Sequence, residues 1–341
     1  MLHLGIIGAG WFGCHVARKL LAMGNTIRIY ERGPDFFCGA SGTNQNRLHC
    51  GYHYPRSWQT RHEIALTRDR FIAEYPTGVV VNNFFAISNQ SWIDLQSYVP
   101  IMMAHNLPIN VHVASNHGIV GVEADVLLQT EERVINTQAV KAEFSKSLRD
   151  YVTFNCEAQP TLKAKDVVLY DNENNGEAFD GVIDCTSGEL RRSETVYFEP
   201  AVMAEYLGPS NHFALTVMDG PFPCLYPTAS PGRWRVSHVA HTARGSFDDA
   251  DNARDLLGRL DDGQVIEDMT AAMCEYYPDF SQSFMPLGVV KAVRTKLKNN
   301  NASRECKTSI DGSGRIFRVF SGKICSVFLV EDLVMKWLKT L

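Results

Sequence analysis

The run Gly8-Ala9-Gly10-Trp11-Phe12-Gly13 constrains this chain more than any other feature, because of what flanks it. Residues 2–7 form a short apolar stretch that reads as a strand. After the glycines, Val16, Leu20 and Met23 recur on one face of a helix, which Gly24-Asn25 stops. Residues 26–31 then read as a second strand, rich in β-branched and aromatic residues and closed by Glu31. A glycine at position 8 permits a tight turn, Gly10 lets the backbone approach a pyrophosphate, and Gly13 lets helix and strand pack closely. The helix N-terminus offers amide donors and partial positive charge to phosphates. Glu31 lies at the spacing where a carboxylate accepts from ribose hydroxyls. The pattern therefore predicts a dinucleotide site built from Gly8, Ala9, Gly10, Phe12, Gly13, Glu31 and Arg32. It does not distinguish NAD from FAD.

Downstream, residues 33–54 are polar and rich in glycine, serine and asparagine. A helix is expected over 58–74, a strand over 79–88, an amphipathic helix over 91–106 and another helix over 136–149. Short strands follow at 151–155 and 166–170, a polar hairpin turn at 171–176, and a strand over 179–185 that ends in Thr186-Ser187-Gly188. Residues 195–245 read as short alternating strands broken by proline and glycine, the mark of an antiparallel sheet. Two helical stretches come next, then a last strand near 316–319 and a terminal helix over 327–338. Lys291, Arg294, Lys296, Lys298, Arg304 and Lys307 form a basic run that reads mostly as solvated.

The segment Cys38-Gly39-Ala40-Ser41-Gly42-Thr43-Asn44-Gln45-Asn46-Arg47-Leu48 resembles the D-amino-acid oxidase (DAO) superfamily of FAD enzymes, in which a G-(A/G)-S helix start follows the acidic strand end. The next stretch, His49-Cys50-Gly51-Tyr52-His53-Tyr54-Pro55, is similar to the H-x-G-x-x-Y-P element of the L-2-hydroxyglutarate oxidase and glycerol-3-phosphate dehydrogenase branch. Residues 182–188 resemble the family's strand followed by A-T-G. The stretch 288–294 resembles its late G-x-R element, with extra residues before Arg294. Residues 319–326 resemble the loop and helix start at the flavin pyrimidine, where the family usually has more glycine and Lys323 is a departure.

The resemblance implies an α/β fold: a Rossmann-type FAD domain (1–75, 136–190 and 294–341) interleaved with an antiparallel-sheet α+β substrate domain (76–135 and 191–293). It adds Ser41, Thr43, Asn44, Arg47, Leu48, Thr186, Ser187, Gly188, Ser321, Gly322, Lys323 and Ile324 to the FAD contacts. It implies oxidation of a small polar substrate at a CH–OH or CH–NH carbon, with hydride passing to flavin N5. His49 is the expected proton acceptor, Arg294 the expected clamp for an anionic substrate, and Tyr54 a further catalytic candidate. A flavin-dependent monooxygenase and a non-catalytic flavin-binding regulatory protein are the alternatives.

Composition narrows the classes further. A net charge of −5 in 341 residues argues against nucleic acid as a partner. No apolar run approaches the roughly 18 residues of a membrane span. The first apolar stretch lacks a basic leader and cleavage site, and nine scattered cysteines form no C-x-x-C pair, so a cytoplasmic protein with reduced thiols and no bound metal is expected. Oligomeric state is not legible.

Overall fold

In the computed structural model, residues 1–80, 82–113, 126–163, 166–190, 196–210, 213–298 and 306–341 are described. The apolar strand His3–Ile7, buried beyond its first residue, lies in the middle of a six-stranded sheet. Thr26–Tyr30 pairs with it in parallel on one side and Gly181–Asp184 in parallel on the other. Ile316–Phe320 extends the parallel array beyond Gly181–Asp184, and Lys307–Ile310 closes that edge in antiparallel sense. Val152–Thr153 closes the other edge.

Helices Trp11–Ala22, Trp58–Glu74, Thr137–Leu148 and Val327–Trp337 share one apolar core against this sheet, through Val16, Leu20, Phe71, Phe144, Val330 and Val334. The opposite face carries a three-stranded antiparallel sheet, Gln159–Lys163, Asp166–Tyr170 and Gly176–Phe179. Its Val167, Leu169 and Phe179 pack on Ile7, Tyr30 and Val182. The parallel sheet is thus covered on both faces, as burial of its backbone requires.

A second, eight-stranded sheet runs in the order Met285–Leu297, Val196–Leu207, Arg233–His238, Pro223–Pro227, Phe213–Met218, Asn82–Ile87, Val126–Thr130, Asn110–Val113. It is mixed, because Phe213–Met218 and Asn82–Ile87 pair in parallel. Side chains alternate across its faces. Val202, Ala204, Leu225, Trp234 and Val236 face the helices Asp262–Cys274 and Phe280–Ser283. The other face carries Phe85, Thr216, Cys224, Arg235, Ser237 and Glu199, and meets the segment 44–54.

Several expectations change in detail. The helix placed over 91–106 is confined to Leu95–Met103. The strand placed over 79–88 is two strands, Thr77–Val79 and Asn82–Ile87, which belong to different sheets. The basic run, expected to be mostly solvated, is partly exposed and belongs to a strand up to residue 297. Its first part is the 13-residue strand Met285–Leu297, paired along its length with the 12-residue strand Val196–Leu207. The cross-strand partners Val289, Val290, Val293 and Thr295 suit a strand, and the interspersed cations hide that signal. Because the strand continues to Leu297, a division of the chain at 294 falls inside it. Arg304 lies outside the described residues.

Candidate active site

Four loops that are distant in sequence leave the same edge of the parallel sheet. Gly8 follows Ile7, Glu31 follows Tyr30, Thr186 follows Asp184 and Ser321 follows Phe320, each at the carboxyl end of a mutually parallel strand. Strand order reverses at His3–Ile7, whose chain neighbour Thr26–Tyr30 lies to one side while Gly181–Asp184 lies to the other. Open α/β sheets hold ligands at such a switch point.

The glycine loop is shaped by backbone contact. Gly8 has φ of +102°, and its amide donates to the Tyr30 carbonyl at 2.8 Å. A Cβ on Gly13 would lie 1.9 Å from the Gly8 carbonyl oxygen, and one on Gly10 would lie 3.0 Å from Ser41 Oγ. Helix Trp11–Ala22 begins at Gly10 with no cap from that residue and no acid in its first turn. Ser41 Oγ instead accepts from the Trp11 amide at 2.9 Å. Glu31 ties the loop to the second strand: Oε2 accepts from the Ala9 amide at 2.7 Å and Oε1 from the Gly33 amide at 2.8 Å. Phe12 is half-buried.

On the neighbouring strand end, buried Asp184 accepts from both the amide (2.9 Å) and the hydroxyl (2.6 Å) of Thr186. Burial pushes its carboxyl up from the ordinary range, and the Thr186 donors oppose that. Ser187 and Gly188 then both take positive φ, 58° and 89°, turning the chain sharply back. At the last loop, Ser321 Oγ accepts from the Lys323 amide at 3.2 Å, and a turn of 3-10 helix beginning at Ile324 leads into Val327–Trp337.

The segment 41–54 lies between this edge and the eight-stranded sheet. Asn44 folds back on it, Nδ2 donating to the carbonyls of Ala40 and Ser41 at 3.0 Å each, while its own carbonyl accepts from Arg235. Gln45 donates to Ser237 Oγ at 2.6 Å. Thr43 is half-buried. Beyond them, three rings meet: His49 lies 5.3 Å from both His53 and Tyr54, and His53 lies 5.5 Å from Tyr54, between ring centroids. The buried Lys323 ammonium sits 4.6 Å from the Tyr54 ring centroid. Chain segments some 270 residues apart thus supply two imidazoles, a phenol and an ammonium to one place.

The side chains of four expected contact residues are engaged within the protein. The Arg47 side chain is only 1% exposed and ion-pairs with fully buried Glu132, so it points into the eight-stranded sheet and leaves only its backbone for a cofactor. Leu48 is a core residue. Arg32 is held by Glu189, which also pairs with Arg254. Arg294 does lie on the sheet face that meets the segment, but its guanidinium is bound to Glu199, with Nε at 3.0 Å. Lys296 reaches the same carboxylate at 2.7 Å. A cation already shared with a buried acid is poorly suited to clamp a substrate anion. Burial would push Glu199 up, but Arg294 and Lys296 outweigh it and hold the carboxyl low.

The model of the DAO family, described as FAD dependent oxidoreductase, matches residues 3–121. A curated Fusarium mangiferae protein, FAD-dependent monooxygenase FPY4, is 34% identical over 97% of this chain and 90% of its own length. The chain belongs to the DAO family. A second relative, FAD-dependent monooxygenase kojA of Aspergillus flavus, is 26% identical over 98% of the chain and 85% of its own. Solved structures of this fold include L-alpha-glycerophosphate oxidase from Mycoplasma pneumoniae (TM-score 0.79, 12% identity, 99% of this chain and 94% of that one). Glycine oxidase from Geobacillus kaustophilus gives a TM-score of 0.76 at 11% identity, covering 100% and 95%.

The protein is therefore an enzyme, an FAD-dependent oxidoreductase with the expected α/β fold, and the non-catalytic reading falls away. Its residues fit FAD: a helix start whose N-cap residue, Gly10, carries no side chain, and a glycine loop too tight at Gly13 for any Cβ, stand at the switch point of the sheet. Among the described residues no helix is long and apolar enough to cross a membrane.

What the sequence reading misses in this DAO-family site is mostly acidic. Glu132 falls between the helices expected over 91–106 and 136–149, in a stretch given no element, and Glu199 falls within the stretch 195–245 of short alternating strands. Asp184, by contrast, stands at a strand end in the same place as Glu31, a signal that was available.

Proposed function

We propose that this enzyme oxidises a small, polar, anionic or polyhydroxylated substrate at a carbon bearing a hydroxyl or amine. The convergence of His49, His53, Tyr54 and Lys323 carries the reading, since these groups meet beside the loops proposed to hold the cofactor. FAD, when bound, accepts the two electrons released by the substrate. His49 takes the proton that the substrate heteroatom loses as the C–H bond breaks, because a neutral imidazole is a competent base near pH 7. Tyr54 and Lys323 orient the substrate's oxygen atoms, and Lys323 replaces Arg294 as the source of positive charge.

For the cofactor, the proposed contacts are the backbone of Gly8–Gly13, Glu31, Ser41, Thr43, Asn44, the turn at Thr186–Gly188 and the loop Ser321–Ile324. The two-part division follows the two large sheets, with the boundary moved past Leu297. The H-x-G-x-x-Y-P stretch supports kinship with the L-2-hydroxyglutarate oxidase branch, and nine free thiols suit a reducing, cytoplasmic setting.

The test is an anaerobic screen of hydroxy acids, amines, amino acids and sugar derivatives, read as flavin bleaching. Stopped-flow reduction of His49→Asn by the best substrate follows, and the expected slowing is about 10²–10⁴-fold, the usual contribution of a positioned base. A rate within a few-fold of wild type removes His49 from the chemistry. The names of the two fungal relatives favour a second reading, monooxygenation. Turnover under ¹⁸O₂ separates the two, since only a monooxygenase places a labelled atom in the organic product.

A further inference from the structure

Glu132 occupies the turn between Val126–Thr130 and Arg133–Ile135, where nothing in the local chain requires an acid, and it is 0% exposed. Its Oε2 accepts from Arg47 Nε. Its Oε1 accepts from the Cys50 amide at 3.3 Å and stands 3.7 Å from His49 Nδ1. Arg47 is locked in turn: its guanidinium donates to Thr216 Oγ1 at 3.0 Å and Cys224 Sγ at 3.1 Å, between the rings of Phe85 (5.1 Å) and Tyr226 (4.7 Å). Burial alone would push the Glu132 carboxyl up and leave it neutral. The Arg47 charge, and then His49, outweigh burial and hold it at about 2. A permanent carboxylate therefore stands behind one nitrogen of a histidine whose ring is 22% exposed.

We propose that Glu132 is a positioning residue that fixes the proton of His49 on Nδ1 and so presents the Nε2 lone pair to the candidate active site. The proposal rests on the reading of His49 as the base. An imidazole has two tautomers of similar energy, and only the one protonated on Nδ1 leaves Nε2 able to accept a proton. A carboxylate at Nδ1 selects that tautomer and also stabilises the imidazolium formed when Nε2 accepts. The same sheet that roofs the site supplies the lock, since Phe85, Thr216, Cys224 and Tyr226 hold Arg47, Arg47 holds Glu132, and Glu132 faces His49. The rings of His53 and Tyr54, both titratable, also lie against His49, with Lys323 beyond Tyr54 and Arg47 beyond Glu132. The cationic neighbours, and His53 when protonated, disfavour a charged His49. Glu132 is the acid among these groups that favours it.

The experiment is a histidine titration by NMR on FAD-loaded protein labelled with ¹³C and ¹⁵N, with His49 assigned by its loss in His49→Asn. In wild type, neutral His49 is expected to carry its proton on Nδ1; a neutral ring protonated on Nε2 overturns the proposal without any variant. In Glu132→Gln the His49 titration is expected to fall by about one pH unit or more, the usual effect of removing an adjacent opposite charge. Arg47 left unpaired endangers the fold in that variant, so the double variant Arg47→Met/Glu132→Gln is measured beside it. There the fall has the same direction and is smaller, because a cation leaves as well. An unmoved His49 titration in every variant that loads FAD overturns the role. A shifted titration combined with wild-type flavin reduction in His49→Asn leaves the Glu132–His49 pair standing and defeats the base reading instead.

Discussion

The glycine-loop edge of the parallel sheet and the inner face of the eight-stranded sheet meet around the same segment, yet they are built on opposite principles. The first works through backbone: Gly13 and Gly42 leave no room for a side chain, with a Cβ falling 1.9 Å from the Gly8 oxygen or 2.3 Å from the Phe37 oxygen. Even its acidic side chain Glu31 acts by binding amides. The second works through side-chain charges, each acid matched to a cation from another strand or loop: Glu132 to Arg47, Glu199 to Arg294 and Lys296, Glu205 to Arg235. The difference teaches where damage should appear. Changes at the edge should remove the cofactor before they remove the fold, whereas changes in the sheet should lower stability before they touch cofactor affinity.

The sharpest way to break that contrast is Gly13→Ala. The new methyl group overlaps a carbonyl oxygen that cannot retreat without opening the loop, a strain on the order of 3 kcal/mol or more. The expected protein is folded but nearly colourless, read as the ratio of flavin to protein absorbance; full flavin loading would refute the geometry of the cradle.

Next in size is Glu31→Ala, which frees two amides and removes a charged acceptor. Each charge-assisted hydrogen bond lost from the bound state weakens FAD by about 1.5–3 kcal/mol, measured by titrating apoprotein with FAD. An affinity equal to wild type would mean that Glu31 serves the fold alone.

On the other side of the comparison, Glu199→Ala strands two cations. Breaking a fully buried pair costs about 3–5 kcal/mol, but Arg294 and Lys296 keep roughly a third of their exposure, so about 1–3 kcal/mol is expected. Thermal denaturation should register it as a lower Tm with FAD affinity retained. A loss of flavin at unchanged Tm would reverse the assignment of the two regions.

The smallest effect is with acid. Burial, then His241, lowers His238 to about 4, so the folded state binds its proton less readily than the unfolded chain does. Stability from this residue is present above the ordinary histidine value of about 6.5 and lost as pH falls toward 4. Glu132, held at about 2, adds a loss at lower pH, from the usual carboxylate range downward. A His238→Asn variant should flatten the first part of the Tm-against-pH curve and leave the second; an unchanged curve between pH 6.5 and 4 would show that His238 stays accessible to solvent protons.

What could be read directly was local. The strand, glycine loop, helix, second strand and Glu31 occupy some 30 consecutive residues, and their chemistry follows from spacing alone: a turn that tolerates φ of +102°, a helix start at a glycine that cannot cap it, an acid at a strand end. The strands Asp166–Tyr170 and Ile316–Phe320 and the helix Thr137–Leu148 were legible for the same reason, because each repeats its apolar residues at its own period. The segment 38–55 showed its family through ordered small, histidine and aromatic residues.

Only the tertiary structure decided the partners of the charges. Arg47 and Arg294 look alike in sequence, cations near motifs, but burial forces each to find an acid, and Glu132 and Glu199 stand 85 and 95 positions away. The strand Met285–Leu297 stayed hidden because its cations suggest solvent until a neighbouring strand brings Glu199 beside them. The position of Lys323 over Tyr54 depends on the parallel sheet placing residue 318 next to residue 184, itself beside residue 7, so that the loop after Phe320 comes near the glycine loop. Backbone conformation is set by neighbours along the chain, so a motif reveals it. The state and aim of a buried charge are set by whatever folds against it, and that information is spread over the whole sequence.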